Sequence, residues 1–145
     1  MWKKRELFIG LIVFVILFYA VYSTNGTPLT RQTVYGPYPG TISANQLDFT
    51  WVAGSIEAAT PTTFVCTGNE LLLFHNNGAQ AYTTTITSVA DEYNRTGDIT
   101  AYSIGAGEFA AFKFTNVAGW RNSSGLVSFI VENASVDVAI LDISR

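Results

Sequence analysis

The side chains able to do chemistry are few in this chain, and they do not converge. The 145 residues hold one histidine, His75, and one cysteine, Cys66. A histidine-driven hydrolase needs a nucleophile, the imidazole and an orienting acid in one place. His75 lies between Phe74 and Asn76-Asn77-Gly78, where a lone histidine reads as a hydrogen-bonded residue at a strand end. One histidine and one cysteine also fall short of the nitrogen and sulfur ligand sets that hold zinc. Asp91, Glu92, Asn94 and Asp98 put oxygen donors into one polar stretch. They are an incomplete calcium candidate, because Ca²⁺ takes six to eight oxygens and the spacing is not that of an EF-hand. Arg95 stands among them and can neutralise the carboxylates instead. The residues therefore predict no catalytic site, no cofactor and no metal beyond that candidate, and the chain reads as a non-enzyme.

Contact chemistry is better represented. Trp120-Arg121 sits in a stretch flanked by glycine and serine, and Tyr93 and Arg95 form a second pair. Tryptophan, tyrosine and arginine are enriched where interfaces concentrate their binding energy, and aromatic rings stack on sugars. The alternative for Trp120 is a loop ring folded over the end of the core. Cys66 follows Phe64-Val65 and reads as a small buried apolar residue; a single thiol forms no internal disulfide. Asn25, Asn94, Asn122 and Asn133 each open an Asn-x-Ser/Thr pattern, which carries glycans only in a host that makes them.

These residues need elements to position them. Thr62-Thr63-Phe64-Val65-Cys66 is one apolar run, and Leu47, Phe49 and Trp51 alternate with polar residues as a half-buried strand does. Residues 70–75 and 80–89 flank Asn76-Asn77-Gly78, 99–104 and 109–114 flank Gly105-Ala106-Gly107-Glu108, and 126–132 and 136–143 flank Asn133-Ala134-Ser135. Each trio of run, turn and run predicts a hairpin, Asn-Gly being favoured where two residues must take positive φ. Residues 90–98 and 115–125 are loops. About eight strands with turns every 8–12 residues and no helical period argue for one all-β domain, an antiparallel β-sandwich or jelly roll over 45–145. Residues 24–44 carry Pro28, Pro37 and Pro39 and read as a stalk, since proline removes backbone donors and fixes φ.

The first 23 residues differ from the rest. Residues 7–22 carry no charge, near the lower limit of what crosses a bilayer. Trp2 stands on one flank and Tyr19 and Tyr22 on the other, where aromatic rings favour the headgroup layer. Lys3, Lys4 and Arg5 precede the run, so the positive-inside rule predicts a transmembrane anchor helix over 1–23 with its N-terminus in the cytoplasm and the β-domain outside. A cleaved signal would end in small residues, where this segment has tyrosines; a helix buried in a filament is a third reading. Charged residues are 13% of the chain, against about 25% in ordinary domains. From Thr24 onward five basic side chains face ten acidic ones, a balance of −5, which leaves no electrostatic footprint for nucleic acid. The predicted partners are a membrane and further copies or other proteins of an assembly.

Residues 70–143 resemble a small β-domain of bacteriophage virion and prophage structural proteins of the decoration type. The likeness rests on Glu70-Leu71-Leu72-Leu73-Phe74 with its Asn-Gly turn, the strand Thr83-Thr84-Thr85-Ile86-Thr87, and Asn94-Arg95-Thr96-Gly97-Asp98. Ala106-Gly107-Glu108, Trp120-Arg121 before Gly125 and the closing strand over 136–141 complete it. The resemblance implies a surface or lattice role without catalysis, in a virion or at a cell surface. The apolar N-terminus beside a Thr-rich sandwich is also similar to archaeal pilin-like filament subunits, although no processing site precedes the run.

Overall fold

The structure, a computed structural model, describes residues 27–34, 44–45 and 48–144. Among them no helix is long and apolar enough to cross a membrane. The predicted anchor with Trp2, Lys3, Lys4, Arg5, Tyr19 and Tyr22 lies outside the described residues, as do Asn25, Leu47 and residues 35–43 of the predicted stalk.

Among the described residues ten strands form two open sheets. In chain order they are β1 (Thr27–Pro28), β2 (Gln32–Thr33), β3 (Val52–Ala53), β4 (Thr62–Val65), β5 (Glu70–Asn76), β6 (Tyr82–Thr87), β7 (Ile99–Ile104), β8 (Phe109–Lys113), β9 (Leu126–Val131) and β10 (Val136–Asp142). The first sheet has the order β1-β4-β9-β6-β7; the second has β2-β10-β5-β8, with β3 also on β10. The all-β sandwich expected from the sequence is present, but both sheets are mixed rather than antiparallel. β1 runs parallel to β4 and β2 parallel to β10. Residues of the predicted stalk thus join the sandwich, first on one sheet and then on the other. Pro28 is tolerated because this strap lies on the sheet edge, where a missing backbone donor costs no central ladder bond.

Strand positions follow the sequence closely, whereas connections do not. β5 lies in the second sheet and β6 in the first; β7 and β8 are divided likewise, and so are β9 and β10. All three predicted hairpins are therefore arches that cross from sheet to sheet. A reverse-turn signal reports that the chain reverses, not which strand it pairs with. Four or five residues reach either a ladder neighbour about 4.8 Å away or the opposite sheet about 10 Å away. At the first arch neither Asn77 nor Gly78 takes positive φ. Gly78 is required for space instead, because a Cβ there would run into the Tyr82 ring.

The three arches lie together at one end of the sandwich. Asn76, wholly buried, stitches them: its Nδ2 donates to the carbonyls of Gln80 (2.8 Å) and Ile104 (2.9 Å), and its Oδ1 accepts from Gly78 N–H (2.8 Å). Asn77 N–H donates to the Ser135 carbonyl at 2.9 Å and Gly107 N–H to the Asn76 carbonyl at 2.8 Å. The opposite end carries the 66–69 turn, the 88–98 loop and the 114–125 loop with one 3₁₀ turn (Val117–Gly119). Between the sheets, Phe74 packs edge-on to Phe112 (5.7 Å) and Phe129 (5.2 Å), and Phe64 meets Phe114 at 5.8 Å. Leu72, Ile86, Ile104, Val127, Val131, Val136, Val138 and Ile140 fill the rest of the core. Aromatic pairs of this kind contribute about 0.5–1.5 kcal/mol each beyond their burial.

Candidate interaction surface

The outward sides of the two sheets differ in chemistry. Along β6 the inward residues Thr84 and Ile86 alternate with outward Thr83, Thr85 and Thr87, and the register sets Ser128 and Ile130 of β9 beside them. That is the usual pattern of an antiparallel sheet with one solvated face. The second sheet breaks it. Glu70, Leu72, Phe74 and Asn76 of β5 point inward, so Leu71, Leu73 and His75 point out. Opposite these three, β10 supplies Leu141, Ala139 and Asp137, and β8 supplies Lys113, Ala111 and Phe109. Seven of those nine outward positions are apolar or imidazole, and two are charged.

Aromatic rings gather on this face near the arch end. His75 stacks on Phe109 with centroids 4.0 Å apart and planes 4° from parallel. Trp51 approaches His75 at 5.8 Å and Phe109 at 6.1 Å, and Phe49 approaches Trp51 at 5.3 Å. Phe109 is 67% exposed. The alternation that placed Phe49 and Trp51 on one side of a strand is real, but only Val52–Ala53 enters the ladder, and the two rings lie on the outer face instead of in the core. Sequence reasoning missed this surface. Its signal was the lack of alternation in Leu71-Leu72-Leu73-Phe74 and Val138-Ala139-Ile140-Leu141, against the strict alternation of the Thr-rich strand.

The contact residues expected from the sequence sit at the opposite end. The Val89 N–H donates to the Gly119 carbonyl at 2.8 Å, which joins the loop of Tyr93 and Arg95 to that of Trp120 and Arg121. Tyr93 is exposed, with the Arg95 guanidinium 5.0 Å from its ring centroid. Trp120 is half-buried and meets Phe114 edge-on at 5.4 Å, so its ring closes this end of the core. Arg121 donates from Nη1 to the Cys66 carbonyl at 3.3 Å.

The acidic loop does not gather its carboxylates. Asp91 pairs with Arg95 at 2.6 Å and accepts the backbone N–H groups of Tyr93 and Arg95. The Arg95 side chain first, then those backbone donors, holds its carboxyl below the usual range. Asp98 accepts from the Ser88 hydroxyl (2.6 Å) and N–H (2.7 Å), which lower it likewise. Glu92 and Asn94 are exposed. Among the described residues no group of three or more His, Cys, Asp or Glu side chains could hold a metal ion. Cys66 is buried, and desolvation pushes its thiol above the ordinary value.

Among the described residues one carboxylate is fully enclosed. Glu70, at 0% exposure, accepts Arg31 Nη1 (2.7 Å) and the Thr67 hydroxyl (2.7 Å) on Oε1. Its Oε2 accepts the backbone N–H groups of Thr67 (2.7 Å), Gly68 (2.9 Å) and Asn69 (3.2 Å). Burial alone would raise its pKa. The bonds from Thr67, Arg31 and Gly68 outweigh burial and bring it down to about 2. Arg31 also reaches Asp142 at 3.5 Å, so this cluster ties the strap to β5 and β10. Its donors and acceptors are mutually satisfied, which makes it a fastening rather than a reactive site.

Compared with protein-family models, characterised proteins and solved structures, the chain gives no match.

Proposed function

We propose that this chain is a membrane-tethered structural subunit of a virion or cell-surface assembly. On this reading residues 1–23 form the anchor with the N-terminus inside. The β-sandwich stands outside, makes lattice or neighbour contacts, and catalyses nothing. The observation that carries the contact role is the apolar outward face of the second sheet with its exposed Phe109. Contiguous apolar patches on a sheet face mark association surfaces more often than solvent boundaries. The low charge of the chain and the resemblance to virion decoration domains support the same reading, and a pilin-like filament subunit is its nearest variant.

A second reading, glycan or receptor contact, draws on the loop end, where exposed Tyr93 and Arg95 stand beside the loop of Trp120 and Arg121. Expression of the full chain with an epitope at each terminus tests the tether. The protein is expected to pellet with membranes and resist carbonate extraction, and external protease is expected to remove the C-terminal tag alone. Recovery of a soluble chain beginning near Thr24, or protection of the C-terminal tag in sealed cells, would reject the tether.

A further inference from the structure

We propose that Asn94 and Asn122 are N-glycosylation sites, each carrying one oligosaccharide, and that Asn133 carries none. This rests on the outward-facing reading above, because the Asn-x-Ser/Thr pattern is used on chains that leave the cytoplasm. Four of the nine asparagines open that pattern, where 27 serines and threonines in 145 residues would give about two by chance. Asn25 lies outside the described residues, and the other three sites differ in what surrounds them.

An acceptor needs a reachable amide nitrogen, a reachable hydroxyl two residues on, and room for a bulky polar group at the surface. Asn94, Arg95 and Thr96 are all exposed. Their loop is held by Asp91, whose carboxylate accepts the N–H groups of Tyr93 (2.8 Å) and Arg95 (2.9 Å) and whose carbonyl accepts the Asn94 N–H (2.9 Å). The loop therefore keeps its shape without help from the Asn94 amide. Asn122, Ser123 and Ser124 are likewise exposed. Here the amide is fixed by its oxygen, which accepts the N–H groups of Ser124 (2.9 Å) and Leu126 (3.0 Å), and the nitrogen is the end left for reaction. Asn133 also accepts the Ser135 N–H on its oxygen, at 2.8 Å. Asn133 and Ser135 are half-buried, however, and the Ser135 carbonyl accepts the Asn77 N–H of the first arch at 2.9 Å. A sugar there would press between two packed arches. The bond from Val89 N–H to the Gly119 carbonyl (2.8 Å) sets the two acceptor loops side by side. Both glycans then stand at the loop end, and the outward faces of the two sheets stay bare for contact with neighbours.

The donor is a sugar activated as its lipid-linked phosphate ester, delivered by a membrane glycosyltransferase. The asparagine Nδ2 forms a bond to the sugar C1 and gives up one proton to a base of the transferase. The bond from C1 to the phosphate oxygen breaks, and the lipid phosphate leaves with the electron pair. Nothing is oxidised or reduced.

The test uses the full chain, purified from membranes of the cells that make it and read by peptide mass spectrometry. Peptides holding Asn94 and Asn122 are expected to gain the mass of an oligosaccharide in most molecules, and the peptide holding Asn133 to stay at its sequence mass. Thr96→Ala and Ser124→Ala keep both asparagines and remove only the exposed hydroxyls. Each is expected to lose one glycan and to migrate one step faster on a gel, the double variant two steps, and Ser135→Ala is expected to change nothing. Asn94 and Asn122 both bare in the native protein, or sugar on Asn133 in their place, overturns the proposal. So does a glycan that survives loss of its hydroxyl. A chain bare at both sites whose C-terminal tag is still removed by external protease would end the glycan assignment while leaving the tether intact.

Discussion

The enclosed carboxylate of Glu70 predicts a definite response to acid. Its usual pKa of 4.5 falls to about 2 in the folded chain. In the unfolded chain Glu70 binds a proton below about pH 4.5, and in the folded chain only below about pH 2. The unfolded state therefore holds more protons between those values, and stability falls as pH falls through that window. A difference of this size corresponds to about 3 kcal/mol, fully present above pH 4.5 and lost by about pH 2. Glu70→Gln removes the charge but keeps the shape. One end of the amide must then present N–H groups either to Arg31 and the Thr67 hydroxyl or to the three backbone donors of 67–69, where the carboxylate accepts from both sets. The variant is expected to lose about 2–4 kcal/mol at pH 7, in the range for breaking a buried, hydrogen-bonded charge pair. Urea unfolding followed by tryptophan fluorescence at pH 7, 5, 3.5 and 2 measures both chains. The gap between them should hold from pH 7 to about 5 and close toward pH 2. Asp91 and Asp98, whose carboxyls are lowered by Arg95 and Ser88, titrate alike in both chains and cancel; Asp142, which shares Arg31 with Glu70, loses the upward push of the Glu70 charge in the variant and adds a smaller pH-dependent difference of its own. A gap of constant size down to pH 2 would refute the reasoning, because it would mean that the charge of Glu70 contributes nothing and only packing was lost.

Two further substitutions probe the ends of the sandwich. Asn76→Ala leaves the Gln80 and Ile104 carbonyls and the Gly78 N–H without partners and is expected to cost about 2–3 kcal/mol in a urea titration; a loss below about 0.5 kcal/mol would show that the arches do not depend on it. Trp120→Ala removes the ring against Phe114 and is expected to lower stability by about 2 kcal/mol, less than for a fully enclosed aromatic ring. A Trp120→Ala protein as stable as wild type that fails to bind a neighbour or a glycan would return Trp120 to the contact role.

The strands were legible and their partners were not. β4 through β10 fall within a few residues of the apolar runs because side-chain alternation is a local property, readable wherever inward and outward residues differ in type. Pairing is non-local. Asn76-Asn77-Gly78 carries the composition of a two-residue hairpin, yet its chain crosses to the other sheet, where the buried Asn76 side chain holds the Gln80 carbonyl of its own arch and the Ile104 carbonyl of the next, 28 residues away. The strap was hidden for a related reason. Gln32 reads as a polar residue between prolines. In the fold its side-chain amide donates to the Thr50 carbonyl at 2.8 Å and accepts the Thr50 N–H at 2.5 Å, taking the part of a peptide group beside β10. Trp120 and Arg121 were visible as residue types, but whether a loop aromatic faces solvent or the core depends on where Phe114 ends up.

The parallel direction of β1 on β4 has a consequence for how the proposed subunit would stand. β4 runs toward the 66–69 turn, which the Cys66 N–H joins to the Gly125 carbonyl at the loop end. β1 runs the same way, so the chain enters the sandwich from the side of the arches. The uncharged run ends at Tyr22 and β1 begins at Thr27, leaving residues 23–26 between them. Four residues reach at most about 14 Å. On the proposed topology the arches therefore face the membrane, and the loops of Tyr93 and Trp120 face away from it. The two sheet faces then stand lateral to the bilayer normal. A lateral surface is the one that meets other copies anchored in the same membrane, and of the two lateral surfaces only that of the second sheet lacks a polar alternation. Contact with neighbours and contact with a distant ligand would then use different parts of one small domain: the outward face of the second sheet with Phe109 for the first, and the loop end for the second.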